Sequence, residues 1–298
     1  MPTPKKGAAP RPSPKPPARK PIPPLLTQNS ELKKNGVWAW TLPAHWATLP
    51  DGRKFVTCPN AGVCAAACYA KAGRWRFPTV LAAHTKKLVM VLDDLPGWRA
   101  AMTAELTKKK YAGQFVRVHD GGDFFSEEYT RAWFAVAAAH PDKTFYAYTK
   151  EVALFKRLHA EGAVPANFVV IYSYGGRQDD LIDREADRNC DVFPDRASLE
   201  AAGYSDNEAD DRLAATGPKK VGIVANRIPH LVRAQGGRTF RAGSGRSCRS
   251  SNCRPPRGRP KRNPPKRRAT TEHFPAAGVS TPRTTRRTAR LTGAQSEG

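Results

Sequence analysis

The stretch FVRVHDGGDFFSEEYTRAWFAVAAAH, residues 115–140, contains the local signals of a strand, a polar loop and a helix in succession. Residues 115–119 are rich in valine and phenylalanine, which predicts a strand. Ser126 is a favourable N-cap, two glutamates follow it in the first turn, and the apolar side chains after them recur at helical spacing. The stretch therefore predicts one β-loop-α unit, with residues 120–123 as its loop.

The same alternation of short β-rich runs and longer helical runs continues on both sides of this unit. Strands are predicted at residues 37–42, 115–119, 144–148, 168–174 and 220–225, and helices at 79–92, 97–110, 126–140, 151–159, 197–202 and 207–215. Strands that alternate with helices indicate a parallel sheet covered on both faces. We expect an α/β fold, a TIM-like parallel barrel with helices outside; the pattern leaves open whether the barrel is closed or partial, or the sheet stays open.

Charge and proline content divide the chain into three parts. Residues 1–24 hold ten prolines, six Lys or Arg and no acid, whereas residues 241–298 hold fifteen Lys or Arg and two acids. These arms carry +6 and +13 of the total charge of +24, which leaves +5 for residues 25–240. The arms have too little apolar surface to offset chain entropy, so we expect them to be disordered and basic, flanking one folded α/β domain at 25–240.

Three of the six cysteines lie within eleven residues, at Cys58, Cys64 and Cys68. Thiols so close together on a Pro- and Gly-containing loop are suited to bind one metal ion or iron–sulfur cluster. The sequence shows neither a signal peptide nor the run of about 18–20 apolar residues that a membrane span needs, so we expect a cytoplasmic protein without membrane contact. Clustered cysteines in a reducing compartment favour metal binding over disulfides.

Polar residues gather just after the predicted strands, at the edge of a parallel sheet where ligands usually bind. We expect a catalytic or positioning role for His119, Asp120 and Lys150. Close approach of the backbone to a ligand, or a polar contact with it, is expected at Gly121, Gly122, Asp123, Ser173, Gly175, Gly176 and Arg177. The bland alternatives are turn chemistry for the aspartates and glycines, solvated cations for the Lys and Arg, and a hydrogen-bonded strand-end histidine.

The cysteine loop, the segment VHDGGDFF at residues 118–125 and YAYTK at residues 146–150 resemble the gene product 88 family of actinobacteriophages and their hosts. This resemblance covers about residues 25–240 and implies a phage-related or mobile-element origin. The family has no settled activity, so the resemblance implies a fold and little chemistry.

The layout is more distantly similar to radical S-adenosylmethionine enzymes, in which three cysteines after the first strand hold a [4Fe-4S] cluster. That resemblance implies S-adenosylmethionine as a second cofactor, with Gly121, Gly122 and Asp123 at the position of the family's Gly-Gly-Glu segment. The spacing differs: the family has C-x3-C-x2-C, and this chain has C-x5-C-x3-C and an aspartate in place of the glutamate. Implied pairings are Asp123 with the ammonium of the ligand, and Lys150 or Arg177 with its carboxylate.

Two alternatives follow from the composition. Zinc is an alternative to the cluster, with a fourth ligand supplied from a distant residue such as His84, His119 or Cys190. The basic arms favour nucleic acid as a partner through counterion release, and this leads to a second hypothesis, a non-catalytic, metal-stabilised nucleic-acid-binding protein. Cys190, Cys248 and Cys253 are not expected to be ligands, and neither substrate nor oligomeric state follows from the sequence.

Overall fold

In a computed structural model, residues 25–225 and 228–244 of the chain are described. The predicted N-terminal arm and most of the predicted C-terminal arm lie outside these residues. The strands are β1 (Val37–Trp40), β2 (Trp46–Thr48), β3 (Lys54–Val56), β4 (Phe115–Val118), β5 (Thr144–Thr149), β6 (Phe168–Ser173), β7 (Asn189–Phe193), β8 (Ser205–Asp206) and β9 (Lys220–Val224). The helices are α1 (Ser30–Lys34), α2 (Val63–Ala66), α3 (Pro78–Asp93), α4 (Leu95–Leu106), α5 (Glu127–Ala138), α6 (Val152–Ala160), α7 (Arg196–Ala201), α8 (Leu213–Thr216), α9 (Pro229–Gln235) and α10 (Phe240–Ser244).

Seven strands form one parallel sheet in the order β1-β4-β5-β6-β7-β9-β8. From β1 to β7 each new strand joins the same side of the sheet, as in a barrel, and not on alternate sides as in a doubly wound sheet. In the described part of the chain β1 and β8 remain at opposite edges and do not pair. The α/β class and the parallel sheet are confirmed; the sheet is open, and a closed barrel is not formed by these residues.

Both faces of the sheet are covered. The larger core packs side chains such as Val118 and Phe145 against Trp98 of α4, Trp133 of α5 and Phe155 of α6. A smaller core lies on the opposite face, where the strands pack against one side chain each from α1 and α8: Leu32, Val37, Ala39, Tyr146, Ile171, Cys190, Ala214 and Val221. The expectation that helices cover both faces of the sheet is therefore confirmed.

Some elements differ from the sequence expectation. The predicted helix 207–215 is mostly irregular, and only Leu213–Thr216 is helical. The backbone N–H groups of Glu208 and Arg212 donate to the carboxylates of Asp206 and Asp210, at 2.9 and 3.0 Å, and such side-chain-to-backbone bonds compete with helix formation. The hairpin of β2 and β3 and the strands β7 and β8 were not predicted. The last helix, Phe240–Ser244, crosses the predicted domain boundary at residue 240.

Among residues 25–225 and 228–244, none of the helices combines the length and apolar character needed to cross a bilayer.

Helix α5 begins as its sequence predicts, and this gives a direct test of the fold. The Ser126 hydroxyl accepts a hydrogen bond of 3.2 Å from the backbone N–H of Tyr129. We expect Ser126→Ala to lower the free energy of unfolding by about 1 kcal/mol, because one N–H of the first turn loses its partner. Urea denaturation measures the change. Ser126→Asp, which retains a capping oxygen, is the control and should be close to wild type; equal stability of the Ala variant would contradict the cap.

Candidate functional site

A cavity of about 230 Å³ lies where the carboxyl ends of β4 to β7 meet the segment between β3 and α3. Most of the residues predicted to form the site line this cavity: Cys58, Cys64, Cys68, His119, Asp120, Gly121, Gly122, Asp123, Lys150 and Ser173. Gly175, Gly176 and Arg177 are not among its lining residues; their backbone pairs with the cysteine loop. The parallel sheet therefore brings together loops that are far apart in the sequence.

The cysteine loop, residues 57–68, is held on the turn that follows β6. The backbone N–H groups of Gly62 and Cys64 both donate to the Gly175 carbonyl, at 3.0 and 3.1 Å. A Cβ at position 62 would lie 2.8 Å from the Gly176 carbonyl oxygen, so only glycine permits this contact. Gly175 has φ +95°, a conformation that favours glycine. Gly62 and Gly175 thus let the cysteine loop approach the turn after β6. The predicted contact of Gly175 and Gly176 with a ligand stays a prediction.

The sulfur atoms are in a low-dielectric environment. Burial raises the pKa of both Cys58 and Cys68, and the neighbouring Cys64 raises both further. The Cys58 Sγ accepts a hydrogen bond of 3.2 Å from the backbone N–H of His45, a contact that stabilises a thiolate or a metal-bound sulfur. Among residues 25–225 and 228–244, no three His, Cys, Asp or Glu side chains are arranged around a single metal-ion position.

Asp123 is buried, and its carboxylate makes three hydrogen bonds within the protein. Oδ1 accepts from the Phe124 N–H and the Thr149 hydroxyl, each at 2.8 Å, and Oδ2 accepts from the Lys150 N–H at 2.9 Å. Burial raises the pKa of this carboxyl, while the hydrogen bonds oppose the shift. The carboxylate joins the loop after β4 to the end of β5. A contact between Asp123 and the ammonium of a ligand stays a prediction.

Lys150 extends into the cavity from the end of β5. Its Nζ donates to the Ser173 hydroxyl at 2.8 Å. Burial lowers the pKa of this ammonium, but electrostatic interactions with Cys64 and with carboxylates such as Asp123 outweigh that effect, and the pKa is raised. Lys150 therefore carries a positive charge close to a predicted sulfur ligand.

His119 has a positive φ of 70°, which is uncommon for a residue other than glycine. Its side chain is 3 % exposed, its Nε2 lies 2.9 Å from the Tyr129 hydroxyl, and its Nδ1 has no partner among the described residues. Burial lowers the pKa of the ring to about 3, so the imidazole is neutral at physiological pH. The predicted role as a proton donor would have to use a neutral ring, whereas a role as a ligand fits this state.

The glycines after β4 face protein atoms. A Cβ at Gly121 would lie 2.9 Å from the Trp75 ring, and one at Gly122, where φ is +86°, would lie 2.8 Å from the Leu42 Cβ. Both glycines line the cavity through their backbone, but the space a Cβ would fill belongs to the chain itself. Their small size is explained by packing.

Several cavity residues were not singled out from the sequence. Arg117 and Tyr148 project from strands, and Asn207 and Asp211 come from the irregular segment before α8. The Arg117 and Tyr148 positions are visible as polar members of apolar runs. Cys190 was predicted to be a non-ligand; it is buried on β7 and faces the same cavity as the other three described cysteines.

The C-terminal helices also contribute to the cavity. Leu231 and Gln235 of α9 and Phe240 of α10 are lining residues, and the Arg241 N–H donates to the Asp191 carboxylate at 3.2 Å. The described chain up to residue 244 therefore belongs to the folded domain. Cys248 and Cys253 lie outside the described residues.

Comparison with known proteins gives a consistent picture. The family model described as Gene product 88 matches residues 23–254. The Gene 88 protein of Mycobacterium phage L5 is 35% identical over 122 residues, which cover 38% of this chain and 50% of that protein. The Gene 88 protein of Mycobacterium phage D29 is 36% identical over a stretch of the same length, with the same coverage. The chain thus spans about half the length of the curated relatives it matches, and no solved structure matches it. Since the family model covers more than half of the chain, this protein belongs to the Gene product 88 family.

Proposed function

We propose that this protein binds a [4Fe-4S] cluster through Cys58, Cys64 and Cys68. The observation that carries the proposal is that all three cysteines line one cavity at the carboxyl ends of parallel strands. A cluster held by three thiolates has one iron open to a further ligand, such as an amino-carboxylate cofactor of the S-adenosylmethionine type. When bound, such a pair supplies one-electron chemistry, and the protein contributes position and electrostatics.

The types of donor suit such a group, but in the described residues the three thiols do not converge on one metal-ion position. Three thiols, the backbone N–H directed at the Cys58 sulfur and the ammonium of Lys150 supply ligands, a hydrogen bond and a compensating charge. Lys150 is also placed to bind the carboxylate of a ligand as a charge-assisted pair. Neutral His119 borders the same space, and its Nδ1 has no partner within the described part of the chain.

The first prediction concerns the ligands. Purified without oxygen, the protein should be brown, absorb broadly near about 400 nm and contain about four irons. Cys58→Ala, Cys64→Ala and Cys68→Ala should each abolish the colour, whereas Cys190→Ala and Cys248→Ala should retain it. Iron analysis and absorbance spectra measure this. Loss of colour in the Cys190 variant would mean four cysteine ligands and no open iron; a colourless wild type with about one zinc would favour a structural zinc site.

A second prediction follows from the raised pKa values of Cys58 and Cys68. These thiols are protonated at neutral pH in the metal-free protein, and cluster binding must displace their protons. Reconstitution of the apoprotein with iron and sulfide should therefore become more favourable as the pH rises from about 7 to 9. Absorbance titration at each pH, with the Cys58→Ala protein as the control, measures the effect. A pH-independent yield would contradict protonated thiols.

Nucleic-acid binding is the second candidate function, and one observation on the folded domain favours it. Residues 52–92 contain seven Lys or Arg and no acid. Arg74 and Arg76 are exposed there, and Phe77 beside them is 56% exposed. Basic side chains next to an exposed aromatic ring are suited to the phosphates and bases of a single strand.

The third prediction separates the tail from the folded domain. Removal of residues 255–298, which hold eleven Lys or Arg and two acids, should weaken binding to single-stranded DNA and lower the salt dependence of the affinity. The cut lies beyond α10, so iron content should not change. Fluorescence anisotropy at two salt concentrations measures both quantities, and Arg74→Glu in the full chain reports on the surface of the domain. A truncated protein that binds DNA as tightly as the full chain would contradict a role for the tail.

A further inference from the structure

One part of the cavity lining, separate from the cysteine loop, consists of polar side chains from two strands and two loops. Arg117 and Tyr148 come from β4 and β5, Asp120 from the loop after β4, and Asn207 and Asp211 from the segment before α8. We refer to these five residues as the polar wall. None of these five residues is a cysteine, and the proposed cluster site does not use Asn207 or Asp211.

Several hydrogen-bond donors of the polar wall are used inside it, but the buried Arg117 Nε has no partner among the described residues. The Tyr148 hydroxyl donates to Asp211 Oδ1 at 3.2 Å, and the Asn207 amide donates to the Tyr148 oxygen at 2.7 Å. The Arg117 guanidinium donates to Asp211 Oδ2 at 3.1 Å. The Tyr146 hydroxyl donates to the same carboxylate oxygen. These bonds fix Asp211 and orient Asn207.

Two acceptors of the wall are also left without a hydrogen bond. The Asn207 side chain is 3 % exposed, and its Oδ1 has no partner in the described part of the chain. The Asp120 carboxylate, whose side chain is 18% exposed, lies 3.7 Å from the Arg117 guanidinium, too far for a hydrogen bond. A buried acceptor without a partner costs about 1–3 kcal/mol, so such groups usually have a partner that the protein chain does not supply.

Two carboxylates and two cations meet at the polar wall. Asp120 and Asp211 face the single guanidinium of Arg117. Lys87 also acts on Asp120 electrostatically, and burial lowers the pKa of this lysine to about 8. The opposite lining is apolar, with Val192, Ile223 and Leu231.

We propose that the polar wall binds the protonated primary amine of a small substrate, with Asp120 and Asn207 Oδ1 as its acceptors. The amine would supply the N–H donors that both groups lack, and the apolar lining would contact the carbon skeleton. A cavity of about 230 Å³ admits a small molecule and excludes a polymer chain. The role as substrate rests on the proposed cluster function, but the binding itself does not need a cluster.

The test compares two probes that differ only in the amine, cyclohexylamine and cyclohexanol. Saturation-transfer NMR with the full chain at neutral pH should show binding of the amine and at least a tenfold weaker affinity for the alcohol. Asp120→Asn should weaken the amine at least tenfold and leave the alcohol unchanged. Glu208→Gln removes the same charge at an exposed position next to Asn207 and is the matched control.

Equal binding of the two probes to the wild type would overturn the proposal, and this comparison needs no variant to fold. Unchanged amine affinity in a folded Asp120→Asn protein would overturn it as well. The two proposals can fail separately. A colourless wild type that binds the amine contradicts the cluster and supports amine binding by the polar wall. A brown protein that does not bind the amine supports the cluster and contradicts amine binding.

Discussion

The hydrogen bonds of Asp123 are the constraint on which the candidate site depends. Its carboxylate binds the ends of β4 and β5 together, and its backbone N–H donates to the Thr57 carbonyl at 2.9 Å, directly before Cys58. A buried carboxylate is costly unless hydrogen-bonded, and here three donors offset the loss of water. The position of Cys58 is therefore linked to the ends of β4 and β5 through one residue, Asp123.

A second attachment holds the middle of the cysteine loop. The Glu151 carboxylate accepts hydrogen bonds from the backbone and side chain of Asn60, at 3.2 and 2.6 Å. Burial and the nearby Asp123 raise the pKa of Glu151 to about 7. With the contacts to Gly175, the loop is attached on both sides of its turn. An otherwise irregular segment thus presents its sulfurs from a defined position, as a cofactor site requires.

The sequence predicts the parts of this protein whose signals are local. The strand at 115–119, the Ser126 cap and the cysteine spacing each lie within a few residues and are read without knowledge of the rest of the chain. Strand β7 is short, and polar residues interrupt its apolar character. The wall residues Asn207 and Tyr148 are 59 positions apart in the chain, and no local pattern encodes their contact. The polar wall was missed for this reason, although its individual residues were visible.

The size of the cavity limits which part of a nucleic acid could reach the proposed site. Its volume of about 230 Å³ is below the range of about 300–1,000 Å³ that is usual for ligand pockets. A nucleic-acid strand attracted by the arms would not fit, and only a single extruded group would reach the sulfurs or Asp120. If both candidate functions hold, the charge of the arms acts at the surface, and the selection of a reacting group rests with the cavity walls.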